Sequence, residues 1–150
     1  MKALSLALLA CLGAGSAFAG SQSGADSTID VTMVPGIQGG ASSFSAIVPN
    51  NVVSVAVKAT AGQIYSMSAF NNSTTIAYVK LYNATQGNTT CGSGTPVGRY
   101  MIPASGGFIR AIEVGVVFST AISYCVTTGI ADADATAPAA STYLVNFTFK

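Results

Sequence analysis

The segment that most restricts the fold is the last one. Tyr143–Phe149 places Tyr143, Val145, Phe147 and Phe149 on one side, and Thr142, Asn146 and Thr148 on the other. Period two is the spacing of a strand with one buried face. No window of eleven or more residues after residue 43 keeps a helical period, so the chain must bury its apolar side chains through strands. This final strand follows a long loop, Gly129–Ser141, and four large inward residues suit it to a central place in a sheet or to pairing with the N-terminal half.

Shorter alternating segments precede it, separated by turn residues. Ile29–Val34 alternates until Pro35 and the glycines at 36, 39 and 40 stop it. Asn51–Thr60 turns Val53, Val55, Val57 and Ala59 inward, and the Ala61-Gly62 turn leads to Ile64–Phe70, a predicted hairpin. Thr75–Asn83 sets Ala77, Val79 and Leu81 against Tyr78, Lys80 and Tyr82. After a Gly-, Thr- and Asn-rich loop, Gln86–Gly98, come Arg99–Ile102, Phe108–Glu113, Val116–Ser119 and Ile122–Thr128. About eight to ten short strands with turns between them predict an all-β fold, a two-sheet antiparallel sandwich or jelly roll. It forms a single domain over 29–150, behind a polar leader at 20–28.

Residues 1–19 read as a secretory signal peptide. Lys2 precedes an apolar run, Ala3–Leu12, and Ala17-Phe18-Ala19 before Gly20 is an Ala-x-Ala cleavage site. A competing reading makes Leu8-Leu9-Ala10-Cys11 a lipoprotein signal with Cys11 acylated. No later segment approaches the roughly 20 apolar residues of a spanning helix, so no membrane span is expected. Export leaves Cys91 and Cys125 as an even pair in an oxidising compartment, which predicts a disulfide. Its loop of about 35 residues would be worth roughly 3 to 4 kcal/mol in the chain-entropy model. Two separate buried thiols are the alternative.

Charge is scarce. Without residues 1–19 the cations are Lys58, Lys80, Arg99, Arg110 and Lys150, and the anions Asp26, Asp30, Glu113, Asp132 and Asp134, for a formal net charge of zero. Five scattered cations cannot displace the counterions of a polyphosphate, so nucleic acid is not an expected partner. The chain contains no His, which excludes Ser-His-Asp and Cys-His catalysis and every His-based metal motif. Asp132 and Asp134 share a face if extended and form a weak cation candidate, or in another reading an acid/base pair of a carbohydrate-active enzyme. Their Ala-rich loop lacks further ligands in regular spacing, so no metal, cofactor or catalytic residue is assigned. Glu113 is the acid within an apolar run, with Arg110 or Arg99 as its expected ion-pair partner. Tyr78, Lys80 and Tyr82 form a candidate binding surface, because exposed aromatics on a rigid sheet can stack on sugars or anchor a protein. A sheet covered on both sides is the other reading of the same tyrosines. Asn-x-Ser/Thr triplets at Asn71, Asn72, Asn83, Asn88 and Asn146 follow from the Asn- and Thr-rich composition.

From about residue 52 the chain resembles a family. The segments Val55-Lys58-Ala59-Thr60-Ala61-Gly62, Tyr78-Val79-Lys80-Leu81-Tyr82-Asn83 and Pro103-Ala104-Ser105-Gly106-Gly107 are similar to small β-sandwich proteins of tailed-phage structural gene clusters, capsid-decorating or fibre-type. The run from Val114 to Gly129, with Asp132 and Asp134, carries the same resemblance. It implies a sandwich fold and a non-catalytic structural or surface-attachment role, with a homo-oligomer or a protein partner at a cell or virion surface. A weaker resemblance is to secreted donor-strand pilins, carried by the signal peptide, Ile29–Met33, the cysteine pair and Tyr143–Phe149. It implies a pilin or adhesin subunit, and a periplasmic carbohydrate-binding module with a glycan partner is a further alternative. Mass spectrometry of exported material is expected to find Gly20 at the N-terminus. A diacylglyceryl Cys11 would instead mark a lipid-anchored protein.

Overall fold

A computed structural model describes residues 40–48 and 53–150. The signal peptide, the leader and the strand expected at Ile29–Val34 lie outside the described residues. Eight strands are described: β1 (Ser42–Ile47), β2 (Val55–Lys58), β3 (Gly62–Asn71), β4 (Ala77–Tyr82), β5 (Gly98–Ile102), β6 (Gly106–Phe118), β7 (Ile122–Thr127) and β8 (Tyr143–Phe149). Their antiparallel pairing is nested: β1 with β8, β2 with β7, β3 with β6 and β4 with β5. Two further pairings, β3 with β8 and β4 with β7, fold this long hairpin into two four-stranded sheets, ordered β1-β8-β3-β6 and β2-β7-β4-β5. Of the two predicted arrangements, this is the jelly roll.

The inward faces of the two sheets share one core. Ile64, Met67, Val145 and Phe147 come from one sheet, and Val79, Leu81, Ile122, Tyr124 and Val126 from the other. At its centre the rings of Tyr124 and Phe147 lie 5.2 Å apart, and Phe44 of β1 sits edge-on to Tyr124 at 6.0 Å. β8 has the boundaries its alternation predicts and lies between β1 and β3, the central place expected for it.

Three local expectations are corrected. β2 and β3 do not form a hairpin: β2 pairs with β7, so the Ala61-Gly62 turn crosses from one sheet to the other. β2 is also shorter than 51–60, leaving Val53 and Ala59 exposed. The two strands expected at 108–113 and 116–119 are one strand, β6, interrupted by an irregularity in register. Between the pairs Ser66↔Ala111 and Ile64↔Val116, β6 takes five steps against two on β3, and Gly115 in the left-handed region (φ 72°) lets the surplus bulge outward. The polar and glycine residues of that bulge are what divide the segment in the sequence. β1 was not anticipated, because Ser-Ser-Phe-Ser-Ala-Ile carries only two large side chains.

The Tyr124 hydroxyl is buried and has no hydrogen-bond partner among the described residues, and burial pushes its pKa up to about 12. An unmet buried donor costs about 1 to 3 kcal/mol, so Tyr124→Phe is expected to be neutral or stabilising in denaturant unfolding. Phe147→Ala opens a cavity against the same ring and is expected to cost about 3 to 5 kcal/mol.

Candidate functional site

The outer face of the β2-β7-β4-β5 sheet carries Tyr78, Lys80 and Tyr82 of β4 beside Ser123, Cys125 and Thr127 of β7. The sequence leaves these side chains either open to solvent or under cover. They are under cover: Lys80, Tyr82, Ser123, Cys125 and Thr127 are all buried, and Tyr78 is half-buried. Two segments cover them. The β4–β5 loop is tied down by the Cys91–Cys125 disulfide, with Cα atoms 5.8 Å apart, and by the Thr89 and Ser123 hydroxyls, 2.7 Å apart. The chain after β7, residues 128–138, forms a strap over the middle of the sheet. Gly92 (φ 82°) lies where loop and strap meet, and a Cβ there would stand 2.8 Å from that of Ala135. Lys80 therefore supports the strap and Tyr82 packs with Cys91 and Cys125 beneath the loop, so neither is part of an open binding surface, while Tyr78 stays half-exposed beside them.

Lys80 is the latch. Its ammonium donates to the carbonyls of Ala131 and Asp134 in the strap, the latter at 3.1 Å. Burial pushes its pKa down, while the Asp134 and Asp132 charges pull it back up and Arg99 adds to the depression. Both aspartates of the candidate cation pair are already engaged. Asp132 forms an ion pair with Arg99. Asp134 accepts from the backbone N–H groups of Gly129 and Thr136, each at 3.1 Å, and from the Thr136 hydroxyl at 3.2 Å. They brace the strap and leave little oxygen for a metal, and no group of three or more Cys, Asp or Glu among the described residues is arranged around a common point. The Arg99–Asp132 pair also corrects the expectation for Glu113. Glu113 lies exposed on the β6 bulge and makes no ion pair among the described residues.

Among the described residues, nothing covers the outer side of the other sheet. Register and alternation define three cross-strand rows there: Ile47–Leu144–Phe70–Gly107, Ser45–Asn146–Ser68–Ile109 and Ser43–Thr148–Ser66–Ala111. None of these twelve positions carries a charge. Ile109 is 89% exposed, Ile47 64% and Phe70 51%. Ser68, Phe70, Phe108, Ile109 and Asn146 line a shallow depression of about 520 Å³ on this face.

Sequence reading missed a third feature, a groove at the open side of the sandwich between the edge strands β5 and β6. Arg99, Tyr100 and Met101 form one wall, and Phe108, Ile109 and Arg110 the other. Tyr100 stacks on Phe108 with centroids 6.4 Å apart, and the Arg110 guanidinium lies 5.6 Å from the centre of the Tyr100 ring. The available signal is the near-symmetric placement of Arg99-Tyr100 and Phe108-Ile109-Arg110 about the Pro103–Gly107 turn. It becomes legible once that turn is known to join the edges of two sheets.

Comparison with protein-family models, with curated proteins and with solved structures found no match.

The strap also sets a pH dependence. Partial burial pushes the Asp134 carboxyl up, but the N–H groups of Thr136 and Gly129, the Thr136 hydroxyl and the Lys80 ammonium outweigh this and hold it below its ordinary 3.8. A carboxyl with a depressed folded-state pKa contributes stability that is complete above its unfolded value and is lost as pH falls through the folded value. Unfolding followed from pH 6 downward is expected to show a loss of stability below about pH 4, and Asp134→Asn is expected to flatten that loss.

Proposed function

We propose that this is an exported, non-catalytic structural or surface-attachment protein that works by assembling with copies of itself through the bare face of the β1-β8-β3-β6 sheet. The observation carrying this reading is that face: a rigid four-stranded surface with Ile47, Leu144, Phe70 and Ile109 exposed and no charged side chain in any of its three rows. Contiguous exposed apolar surface of this kind marks an interaction site. A partner that is a second copy of the same face brings no charge into a desolvated contact, so assembly incurs no unpaired-charge penalty.

Size decides what sort of assembly this supports. Four strands about 4.8 Å apart and about six residues long present roughly 400 Å² in projection, about half of the roughly 800 Å² per partner of a standard specific interface and in the range of weak encounters. A single contact is weak on that scale, and repetition in an array supplies the remainder through effective concentration. The resemblance to capsid-decorating and fibre-type phage proteins, and the use of jelly rolls in capsids, support the same reading. So does the tied-down opposite face: with its strap and disulfide it leaves the sheet rigid behind the contact.

Sedimentation velocity of the mature chain is expected to show self-association that grows with concentration. Leu144→Lys is expected to leave a monomer with unchanged circular dichroism. A wild-type chain that stays monomeric at millimolar concentration would refute the assembly.

A further inference from the structure

The chain contains two arginines, and both line the groove between β5 and β6. In a protein with so few charges, that coincidence is the strongest sign of a ligand in the molecule. Arg99 is committed to Asp132. Arg110 is not: it is exposed, has no carboxylate partner among the described residues, and is held over the Tyr100 ring. A guanidinium oriented this way keeps its N–H fork free for a planar anion, and carboxylate matches that fork in two parallel hydrogen bonds.

The rest of the groove gives the ligand's body. Its walls are the stacked Tyr100 and Phe108 with Met101 and Ile109, apolar surfaces that suit the C–H face of a ring. Its volume, about 340 Å³, is at the small end of ligand sites. Only three residues of each strand contribute, a run of about 7 to 10 Å by the rise of a strand. That length takes one or two pyranose rings and is short for an extended peptide. We propose that the β5–β6 groove binds an acidic sugar of the uronate class, its carboxylate on Arg110 and its ring against Tyr100 and Phe108.

This proposal deepens the attachment part of the functional reading by naming what is attached to; it shares Ile109 with the assembly face, while Arg110, Tyr100 and Phe108 lie outside the three rows and Leu144 lies outside the groove. Binding is therefore measured on the Leu144→Lys chain as well as on wild type, so that loss of assembly and loss of ligand are separate results. In ligand-observed NMR and calorimetry, trigalacturonate is expected to bind both chains and to weaken as salt is raised. Neutral maltotriose is expected not to bind. Arg110→Gln, a change at an exposed position, is expected to weaken trigalacturonate at least about tenfold, and Arg110→Lys to fall between, since it keeps the charge and loses the fork. Free galacturonate is included to separate the two sources of this chemistry: binding equal to the trimer assigns a monosaccharide ligand, and binding by the trimer alone assigns a polymer. Absence of trigalacturonate binding, equal binding by Arg110→Gln, or equal binding of a triglutamate peptide overturns the proposal.

Discussion

The contact of Phe147 with Tyr124 joins the middle of one sheet to the middle of the other, and the architecture is organised around it. β8 lies between β1 and β3, and β7 between β2 and β4, so these two strands are the ones each sheet is built upon. Burial of large side chains on strands this short is the dominant stabilising contribution available. With scarcely any charge, and no α-helix among the described residues, this burial and the Cys91–Cys125 disulfide supply the cohesion. Antiparallel nesting follows from the same need. Wrapping the hairpin into two sheets puts the inward side of every pair against the other sheet, and a flat hairpin of this composition would leave them in water.

Closing that core creates two outer faces, and the chain treats them oppositely. Over the β2-β7-β4-β5 sheet it spends its few charged groups holding cover in place: Lys80 on the strap carbonyls, Arg99 on Asp132, Asp134 on the turn at Gly129. A buried ammonium is tolerable because two carbonyls and two nearby carboxylates replace its hydration. Over the β1-β8-β3-β6 sheet the described residues supply neither cover nor, in its three rows, charge. The proposed assembly rests on the contrast between these faces more than on either alone. The groove with Arg110 lies at the edge where the sheets part and borders both faces, through Ile109 on one side and Arg99 on the other.

Much of the fold is legible from period and punctuation. β5, β7 and β8 stand within a residue of where alternation puts them, and the disulfide joins the two cysteines that the expected export leaves as an even pair. β1 is illegible because its inward side has one large residue, Phe44, and its outward side has two serines followed by an exposed Ile47, which breaks the apolar-in, polar-out pattern. β6 reads as two segments because a bulge of polar and glycine residues is indistinguishable, in one dimension, from a turn. Of the site residues, Cys91 and Cys125 are joined as expected, whereas Tyr78, Lys80 and Tyr82 are placed on the correct strand face with open and covered left as alternatives, of which the covered one holds for Lys80 and Tyr82. Alternation reports which side of a strand a residue takes and is silent on what covers that side.

Composition and periodicity by themselves therefore determined an all-β sandwich with a single cross-link and no histidine chemistry. Both properties are local: side-chain alternation is built into the pleat, and a missing residue type is missing in every fold. Tertiary structure alone decided that Lys80 would be buried under residues fifty positions away, that the two aspartates would brace a strap, and that both arginines would meet across an open edge. Those outcomes depend on which strands pair and in which sheet. Pairing is set by the summed burial of the whole core, a quantity no single segment carries.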